Sequence, residues 1–253
     1  MNDAQRQRYS RQLRLPSFGD AGQEQLLAAR VLVVGVGGLG SAAAMYLAAA
    51  GVGHLVLADY DQVDLSNLQR QIAHRTADIG RLKVESARDT LLALNPEIQV
   101  TPLARSLDGE ELVREIKLAN LVMDASDNFE TRFALNRVCH QQATPLVSGA
   151  AMGLEGQVTL FPHQGDAPCY NCLYPDDGQP GETCSQLGVL APLVGIIGAL
   201  QANEAVKWLT GMGEPLVGRV WLLDGLAMEW RCLRLPRDPD CPTCGSVPTR
   251  AKP

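Results

Sequence analysis

The sequence predicts an α/β fold of the Rossmann-like type, a doubly wound parallel sheet that continues into antiparallel C-terminal strands. Two patterns predict it. Between residues 31 and 151, short apolar runs alternate with helical segments, which is typical of a parallel sheet covered on both faces. Beyond residue 154 the strand-like segments alternate apolar and polar side chains, which favours antiparallel pairing. We therefore expect one mixed sheet within a single domain over residues 1–253.

The parallel part can be followed in chain order. VLVVG at 31–35 is rich in β-branched residues, as strands buried on both faces are, and the alanine-rich segment 39–50 predicts a helix. A later helix over 81–94 ends before Asn95-Pro96, because proline cannot continue it. The other predicted elements are strands at 54–59, 98–103, 120–126 and 145–151, and helices at 3–14, 109–118 and 129–142.

The C-terminal part has a different composition. Three segments alternate as antiparallel strands do, namely 155–161, 218–225 and 228–235. Between the first and second of them we expect a loop rich in cysteine and proline at 168–184 and one long helix at 189–210. We expect residues 246–253 to form a flexible tail.

Composition excludes several classes of protein. A net charge of −6 over 253 residues indicates neither a nucleic-acid-binding surface nor a basic membrane contact. The longest window without charged residues, 31–58, is a poor membrane span because six glycines and a histidine interrupt it. The polar first dozen residues do not resemble a secretory signal, so seven cysteines indicate reduced thiols and a cytoplasmic protein.

GVGGLG at 35–40 has the G-x-G-x-x-G spacing of a dinucleotide-binding turn. It directly follows a predicted strand and directly precedes a predicted helix, and Asp59 lies about twenty residues further on. Glycines permit a tight turn and close approach to phosphate, which the helix N-terminus stabilises, while Asp59 can accept hydrogen bonds from ribose hydroxyls. The alternative is that these glycines serve only the packing of helix on strand. The structural context favours nucleotide binding but leaves the nucleotide open.

Residues beyond Asp59 bear on which nucleotide it is. Arg70 and Lys83 would suit a triphosphate, whose departing pyrophosphate must be neutralised, although such cations are as often simply solvated. Asp127, after a predicted strand, could hold Mg²⁺ on phosphate oxygens. From the residues alone, however, an N-cap for the helix at 129–142 is the better-supported role of Asp127.

The cysteines form two C-x-x-C pairs, Cys169/Cys172 and Cys241/Cys244. Four thiolates from two such pairs favour a closed structural zinc site, and a redox-active pair is the alternative. Cys184, just before the long helix, is either a nucleophilic thiol near a helix N-terminus or a cysteine without a role. Cys139 and Cys232 are interpreted as core residues.

Taken in order, these motifs resemble those of the ThiF/MoeB/HesA family, bacterial relatives of the ubiquitin-activating enzymes. The resemblance runs from about residue 8 to residue 245. SGAAMGLEGQVTLF at 148–161 resembles the molybdopterin-synthase branch of this family, and YPDDGQPGETC at 174–184 resembles the ThiF branch at least as closely. The motifs that carry the family resemblance are RYSRQ at 8–12, GVGGLG at 35–40, DLSNLQRQ at 64–71, Lys83, DASDN at 124–128, the two C-x-x-C pairs and the segment 188–209.

The resemblance implies an activity and a set of partners. Members bind ATP and Mg²⁺ and adenylate the C-terminal carboxylate of a small ubiquitin-fold sulfur-carrier protein that ends in Gly-Gly. It implies a homodimer, a separate sulfur donor, a nucleotide-binding half at about 28–152, and a half at about 153–245 that binds the carrier and zinc. The specific pathway, molybdopterin or thiamin, stays open.

The resemblance also assigns roles to individual residues. Arg11 would reach into the active site of the neighbouring subunit, and Cys184 would act covalently if this chain follows the ThiF branch. Arg70 and Lys83 would orient and neutralise phosphates, and Asp127 would ligate Mg²⁺. The implied nucleotide-binding residues are Gly35, Gly37, Gly38, Gly40, Asp59, Asp61, Ser66, Asn67, Arg70, Lys83, Asp127 and Asn128; the zinc ligands are Cys169, Cys172, Cys241 and Cys244.

Two other functions compete with this hypothesis. The glycine turn is equally compatible with an NAD-dependent oxidoreductase, although the four histidines are scattered and none is an evident proton donor for hydride chemistry. A scaffold without catalytic activity, which binds a nucleotide and a partner, would leave Arg70, Lys83 and Asp127 without a role.

Overall fold

A computed structural model describes residues 1–176 and 188–245. One eight-stranded sheet with the order β3-β2-β1-β4-β5-β6-β7-β8 organises this part of the chain. The first five strands are parallel, and β6, β7 and β8 are antiparallel to their neighbours, which confirms the predicted fold class. The strands are β1 Arg30–Val34, β2 His54–Ala58, β3 Gln99–Leu103, β4 Leu121–Asp124, β5 Leu146–Met152, β6 Glu155–Phe161, β7 Arg219–Asp224 and β8 Glu229–Arg234.

Helices cover both faces of the parallel part of the sheet. They are α1 Asp3–Arg8, α2 Ser10–Leu13, α3 Gly19–Ala28, α4 Gly38–Ala50, α5 Lys83–Leu94, α6 Gly109–Leu118, α7 Phe129–Gln142, α8 Tyr170–Leu173 and α9 Ala191–Thr210. The predicted cysteine-rich loop at 168–184 is described only as far as residue 176, and it contains α8. The predicted tail at 246–253 lies outside the described residues.

The central strand β1 shows why its sequence is apolar throughout. Val31 and Val33 are fully buried in the core shared with α3, α4, α5 and α9. Leu32, between them, is fully buried in the opposite core beneath α6 and α7. Because successive strand residues point to opposite faces, a strand with helices on both sides must be apolar at every position.

Three expectations about local structure were wrong. The predicted helix at 3–14 is divided at Tyr9, whose ring is buried and whose hydroxyl oxygen accepts a hydrogen bond from Asn95 Nδ2 at 2.9 Å. Helix α3 has no counterpart in the prediction. Cys232, interpreted as a core residue, is exposed on β8, the edge strand, whose residues are all exposed. Cys139 is buried as expected.

No helix in the described part of the chain is long and apolar enough to cross a membrane. The uncharged window at 31–58 instead forms β1, the glycine turn, α4 and β2 at the centre of the fold.

Candidate active site

A cleft of about 1140 Å³ opens at the carboxyl ends of the parallel strands. The glycine turn after β1, Asp59 after β2 and Asp127 after β4 all contribute to its wall. Strand order explains this convergence. β1 lies between β2 and β4, so their carboxyl ends meet at one edge of the sheet, where ligands of open α/β folds bind.

The four glycines of the turn have different surroundings. A Cβ on Gly40 would lie 1.9 Å from the Gly35 carbonyl oxygen, so Gly40 allows α4 to pack directly on the turn. Gly35 has φ +89°, and a Cβ there would lie 2.6 Å from the Ala125 carbonyl oxygen. A Cβ on Gly38 would lie 2.8 Å from Val194 Cγ2, in the contact with α9. Gly37 differs, because the nearest atom to its Cβ would be Gln71 Nε2 at 3.6 Å.

The N-terminus of α4 points an uncapped set of amides at this cleft. Gly37 occupies the N-cap position, and no side chain of the described residues caps the helix. Gly37 and Gly38 both line the cleft. The first amides of a helix favour an anion such as phosphate, both through direct N–H donation and through the helix dipole.

Asp59 is fixed by the backbone. Its Oδ2 accepts a hydrogen bond from the Val36 amide at 2.7 Å, and its Oδ1 accepts one from the Asp61 amide at 2.9 Å. Burial raises the pKa of the Asp59 carboxyl, and the nearby charge of Lys83 opposes that rise. The carboxylate is therefore held rigidly at the cleft wall, in a position to accept hydrogen bonds from ribose hydroxyls.

Two cations stand on the same side of the cleft. Lys83 at the start of α5 donates from Nζ to Asp61 Oδ2 at 2.7 Å; the Lys83 side chain is 7% exposed and that of Asp61 49%. Arg70 donates from Nη1 to the Ser66 carbonyl oxygen at 3.0 Å. Both residues line the cleft, so their charges face the space beside the glycine turn. A nearly buried ammonium acts on an anion there with little screening by water.

Ser66 and Asn67 lie beside the cleft without lining it. They belong to a 3-10 turn, Leu65–Asn67, in which Asp64 Oδ1 accepts hydrogen bonds from the Ser66 amide at 2.8 Å and the Ser66 hydroxyl at 2.6 Å. This turn supports Arg70 through the Ser66 carbonyl. Ser66 and Asn67 therefore support the cleft residue Arg70 and do not form the cleft wall themselves.

Asp127 is exposed at the cleft wall, and the interpretation that it caps α7 is wrong. The N-cap is Asn128, whose Oδ1 accepts a hydrogen bond from the Thr131 amide at 2.9 Å. The neighbouring Asp124 is fully buried and accepts hydrogen bonds from Ser126 and Ser148. Among the hydrogen bonds of the described residues, Asp127 has a long contact of 3.5 Å, from Asn128 Nδ2 to its Oδ1, and it lines the cleft.

Sequence reasoning missed two residues of this region. His74 is buried between Ser86 Oγ, at 2.9 Å from Nδ1, and the Val36 carbonyl oxygen, at 3.2 Å from Nε2, and burial lowers its pKa. His74 thereby holds the backbone of the glycine turn in place from the protein interior. Arg132 lies on α7 and lines the cleft. Its position in DNFETR at 127–132, four residues after Asn128, was the available signal.

A second cavity, of about 430 Å³, adjoins the cleft; we call it the groove. Its wall includes Phe129, Tyr174 and Gln157, and the Tyr174 hydroxyl donates to Gln157 Oε1 at 2.7 Å. Four residues line both the groove and the cleft: Asp127, Asn128, Arg132 and Ala151.

Two further predicted site residues, Arg11 and Cys184, are not among the described residues of the cleft wall. Arg11 is exposed on α2 and is not part of the cleft wall of its own chain. Cys184 lies outside the described residues.

The two C-x-x-C pairs meet in space although about seventy residues separate them. The four sulfur atoms lie within 4.8 Å of one another, with Cys169 Sγ 3.5 Å from Cys241 Sγ and Cys172 Sγ 3.4 Å from Cys244 Sγ. Sulfur atoms around a tetrahedral zinc ion lie about 3.8 Å apart. Asn136 Nδ2 and the Asp238 amide approach Cys169 and Cys172 at 3.6 and 3.4 Å, as donors to thiolates do.

Comparison with known proteins gives consistent matches over the whole chain. Residues 9–243 match the model of the ThiF family. The chain is 49% identical to molybdopterin-synthase adenylyltransferase of Escherichia coli, covering 97% of this chain and 98% of that protein. It is 46% identical to the sulfur carrier protein ThiS adenylyltransferase of the same organism, covering 97% of each. It is 44% identical to the SAMP-activating enzyme E1 of Haloferax volcanii, covering 97% and 91%.

Solved structures give the same architecture. The crystal structure of E. coli MccB has a TM-score of 0.84 at 24% identity and covers 98% of this chain and 74% of that one. The crystal structure of PaaA has a TM-score of 0.80 at 26% identity, covering 94% and 76%.

Proposed function

The chain belongs to the ThiF family, and from this premise we propose that it is an ATP-dependent adenylyltransferase for the C-terminal glycine carboxylate of a ubiquitin-like sulfur-carrier protein. The observation that carries the proposal is the grouping of Lys83, Arg70 and Asp127 around an uncapped helix N-terminus in one cleft. Binding of a pyridine nucleotide does not require two cations and a free carboxylate at this position, because no phosphate group leaves during hydride transfer. A triphosphate that must release pyrophosphate needs them.

The reaction requires positioning and charge stabilisation. An oxygen of the carrier's carboxylate forms a bond to the α-phosphorus, the bond from that phosphorus to the bridging oxygen breaks, and pyrophosphate leaves with the electron pair. No general base is needed, because a C-terminal carboxylate is already ionised at neutral pH. In this proposal Asp59 holds the ribose and the glycine turn holds phosphate. Lys83 and Arg70 neutralise the charge that builds up on the leaving group.

Asp127 fits a role as the magnesium ligand. It is an exposed carboxylate at the cleft wall, and Mg²⁺ prefers one or two carboxylates together with phosphate oxygens. Bound there, the ion would neutralise phosphate charge during pyrophosphate release.

The four cysteines fit a structural zinc ion. Three of them are buried and the set leaves no open position, so we propose that zinc joins the segment around α8 to the C-terminal segment and takes no part in the chemistry. Such thiolates stay reduced in the cytoplasm, the compartment that we propose for this protein.

The proposal extends to the pathway and the halves of the chain. Identity to the molybdopterin-synthase adenylyltransferase is somewhat higher than to the ThiS adenylyltransferase, and we propose the molybdopterin pathway or a related one, with thiamin biosynthesis as the alternative. Residues of about 28–152 would bind the nucleotide, those of about 153–245 the carrier and zinc, and a separate protein would donate sulfur. In the thiamin case Cys184 would act covalently, and Cys184→Ser would abolish thiocarboxylate formation but spare adenylation.

The test of this function is ATP–pyrophosphate exchange with purified candidate carriers that end in Gly-Gly. We expect exchange that depends on one carrier and on Mg²⁺, and no binding of NADH. Absence of exchange with every carrier, together with tight NADH binding, would instead identify a nucleotide-dependent oxidoreductase.

Arg11 leads to a prediction about subunits. It is exposed and does not line its own cleft, and we propose that it completes the active site of the second copy in a homodimer. Arg11→Ala and Asp127→Ala should each be nearly inactive in exchange, whereas a co-expressed mixture should recover up to about a quarter of wild-type activity, because some hybrid dimers contain one intact site. Light scattering should give twice the mass of the 27.2 kDa chain. A mixture as inactive as its parents would contradict the shared site.

The glycine turn provides a second prediction with a matched control. In Gly37→Ala the added methyl group enters the cleft without a close contact, so we expect wild-type stability and a roughly 10-fold or greater loss of ATP affinity by calorimetry. In Gly40→Ala the methyl group would collide with the Gly35 carbonyl oxygen, so we expect a lower melting temperature as the main effect. If Gly37→Ala binds ATP normally, phosphate does not occupy the turn.

A further inference from the structure

Arg132 lies between the cleft and the groove and lines both of them. Among the four residues that line both cavities it is the cation, and the others are Asp127, Asn128 and Ala151. It therefore faces the point at which a group entering through the groove would reach a nucleotide bound in the cleft.

The guanidinium of Arg132 has neutral partners. Nη2 donates to the Ser126 carbonyl oxygen at 2.8 Å and lies 3.5 Å from the Gly149 carbonyl oxygen, and Nη1 lies 3.4 Å from the Tyr170 hydroxyl. Nε is buried and has no partner within residues 1–176 and 188–245. A guanidinium has five N–H donors, so these contacts leave some of the Arg132 donors without a hydrogen-bond partner among the described residues.

No carboxylate of the described residues is in direct contact with the Arg132 guanidinium. In the described part of the chain Arg132 forms no ion pair, whereas Lys83, another cation of the cleft, has Asp61 at 2.7 Å. Burial opposes its charge, but the more distant carboxylate of Asp124 and the Tyr170 hydroxyl raise the pKa of Arg132, so it stays charged. A largely buried guanidinium with spare N–H donors and no carboxylate in direct contact is suited to bind a further anion, which would accept hydrogen bonds from those donors.

The surrounding charges indicate which anion this is. In the proposed function, the glycine turn, Lys83 and Arg70 bind the phosphates of the nucleotide on the β1–β2 side of the cleft. The groove wall carries two carboxylates, Glu155 and Asp224, and an exposed cation, Arg231. Arg132 is the cation of the part that the groove shares with the cleft, and the carboxylate of that part, Asp127, would be engaged by Mg²⁺ in the proposed function. The groove wall also includes Gly156 and the apolar Leu222, which suits a slender peptide.

We propose that Arg132 binds the terminal carboxylate of the carrier's peptide tail after the tail has entered through the groove. This inference rests on the proposed adenylation of a carrier and names the residue that recognises its reacting group. One carboxylate oxygen accepts hydrogen bonds from the guanidinium while the other forms the bond to the α-phosphorus. The bond from the α-phosphorus to the bridging oxygen breaks, its electron pair leaves with pyrophosphate, and Arg132 keeps all its protons throughout.

Arg132 would also discriminate between a carrier that ends in a free carboxylate and one whose C-terminus is an amide. A charge-assisted pair of hydrogen bonds to a carboxylate is lost when that carboxylate becomes an amide, and such pairs are strong. The wild-type protein should therefore bind the free acid about 10- to 100-fold more tightly than the amide of the same carrier.

The test compares two forms of one probe on three proteins. The probe is the carrier that supports ATP–pyrophosphate exchange, prepared with a free C-terminal carboxylate and as its C-terminal amide, and its binding is measured by calorimetry with a non-hydrolysable ATP analogue present. The proteins are the wild type, Arg132→Gln and Arg231→Gln. The Arg132→Gln substitution would keep an N–H donor for the Ser126 carbonyl but remove the charge. Arg231 is the control, a cation of the same groove whose side chain is 68% exposed and lies near Glu229.

The expected result is a preference for the acid that survives Arg231→Gln and falls to about 1-fold in Arg132→Gln, with affinity for the ATP analogue unchanged in both. Because the ratio is taken within one variant, partial loss of folded protein cancels. A preference that persists in Arg132→Gln, or equal binding of acid and amide by the wild type, would overturn the inference while the adenylation activity stands. Absence of any carrier that supports exchange would overturn the proposed function itself.

Discussion

Replacement of Lys83 by alanine is expected to lower the rate of ATP–pyrophosphate exchange by about 100- to 1000-fold, which is the usual effect of removing one charged or hydrogen-bonding group that stabilises a transition state. The Lys83 side chain is 7% exposed, so its charge acts on the cleft with little screening. The effect should appear mainly in the maximal rate, because negative charge on pyrophosphate increases as it leaves.

The control for Lys83→Ala is Lys117→Ala, which removes an exposed lysine at the end of α6 and should leave exchange unchanged. Loss of the ion pair to Asp61 should affect stability little, because Asp61 is half exposed and water can solvate it. Melting temperatures of the two variants check this. A folded Lys83→Ala protein with exchange within about threefold of the wild type would show that Lys83 does not contact the reacting phosphates.

Loss of the proposed zinc ion is expected to have the largest effect on stability. We expect about one zinc ion per chain by elemental analysis, and loss of it in Cys172→Ser. The free energy of unfolding should fall by at least about 3 kcal/mol, since structural zinc sites contribute strongly to folding. The cluster joins residues 169–172 to residues 241–244, and the thiols would otherwise be crowded within 4.8 Å of one another.

The chain contains its own matched control for this change. Cys232→Ser alters an exposed cysteine of β8 that lies outside the cluster, so zinc content and the unfolding transition should both match those of the wild type. Treatment of the wild type with a chelator should reproduce the Cys172→Ser transition. Stoichiometric zinc in Cys172→Ser, or wild-type protein purified without chelator and free of zinc, would contradict the four-cysteine site.

The parallel core was predictable because its signals are local. A strand buried on both faces must be apolar at consecutive positions, so the segment around β1 indicates its own environment. Helices α6 and α7 were predicted with the bounds that the structure has, Gly109–Leu118 and Phe129–Gln142. The G-x-G-x-x-G spacing likewise predicted a turn between a strand and a helix.

Helix α3 escaped prediction because it depends on distant parts of the chain. It contains two glycines, and its buried polar residue Gln23 donates to the Ala50 carbonyl oxygen at 3.0 Å, where Gln12 also donates at 2.8 Å. Gly22 packs against the Phe18 ring. None of these contacts produces a periodic apolar pattern, which is the signal that sequence reasoning uses for a helix.

The candidate site shows the same division between features that local sequence predicts and features that depend on distant parts of the chain. The sequence by itself determined the fold class, the nucleotide turn and the pairing of C-x-x-C motifs, because spacing along one strand, turn or helix follows from backbone geometry. Only the tertiary structure decided that Asn128 rather than Asp127 caps α7, and that Arg132 lies between the cleft and the groove. Those facts depend on which groups from distant strands meet at one edge of the sheet, and on which of them find a partner when water is excluded.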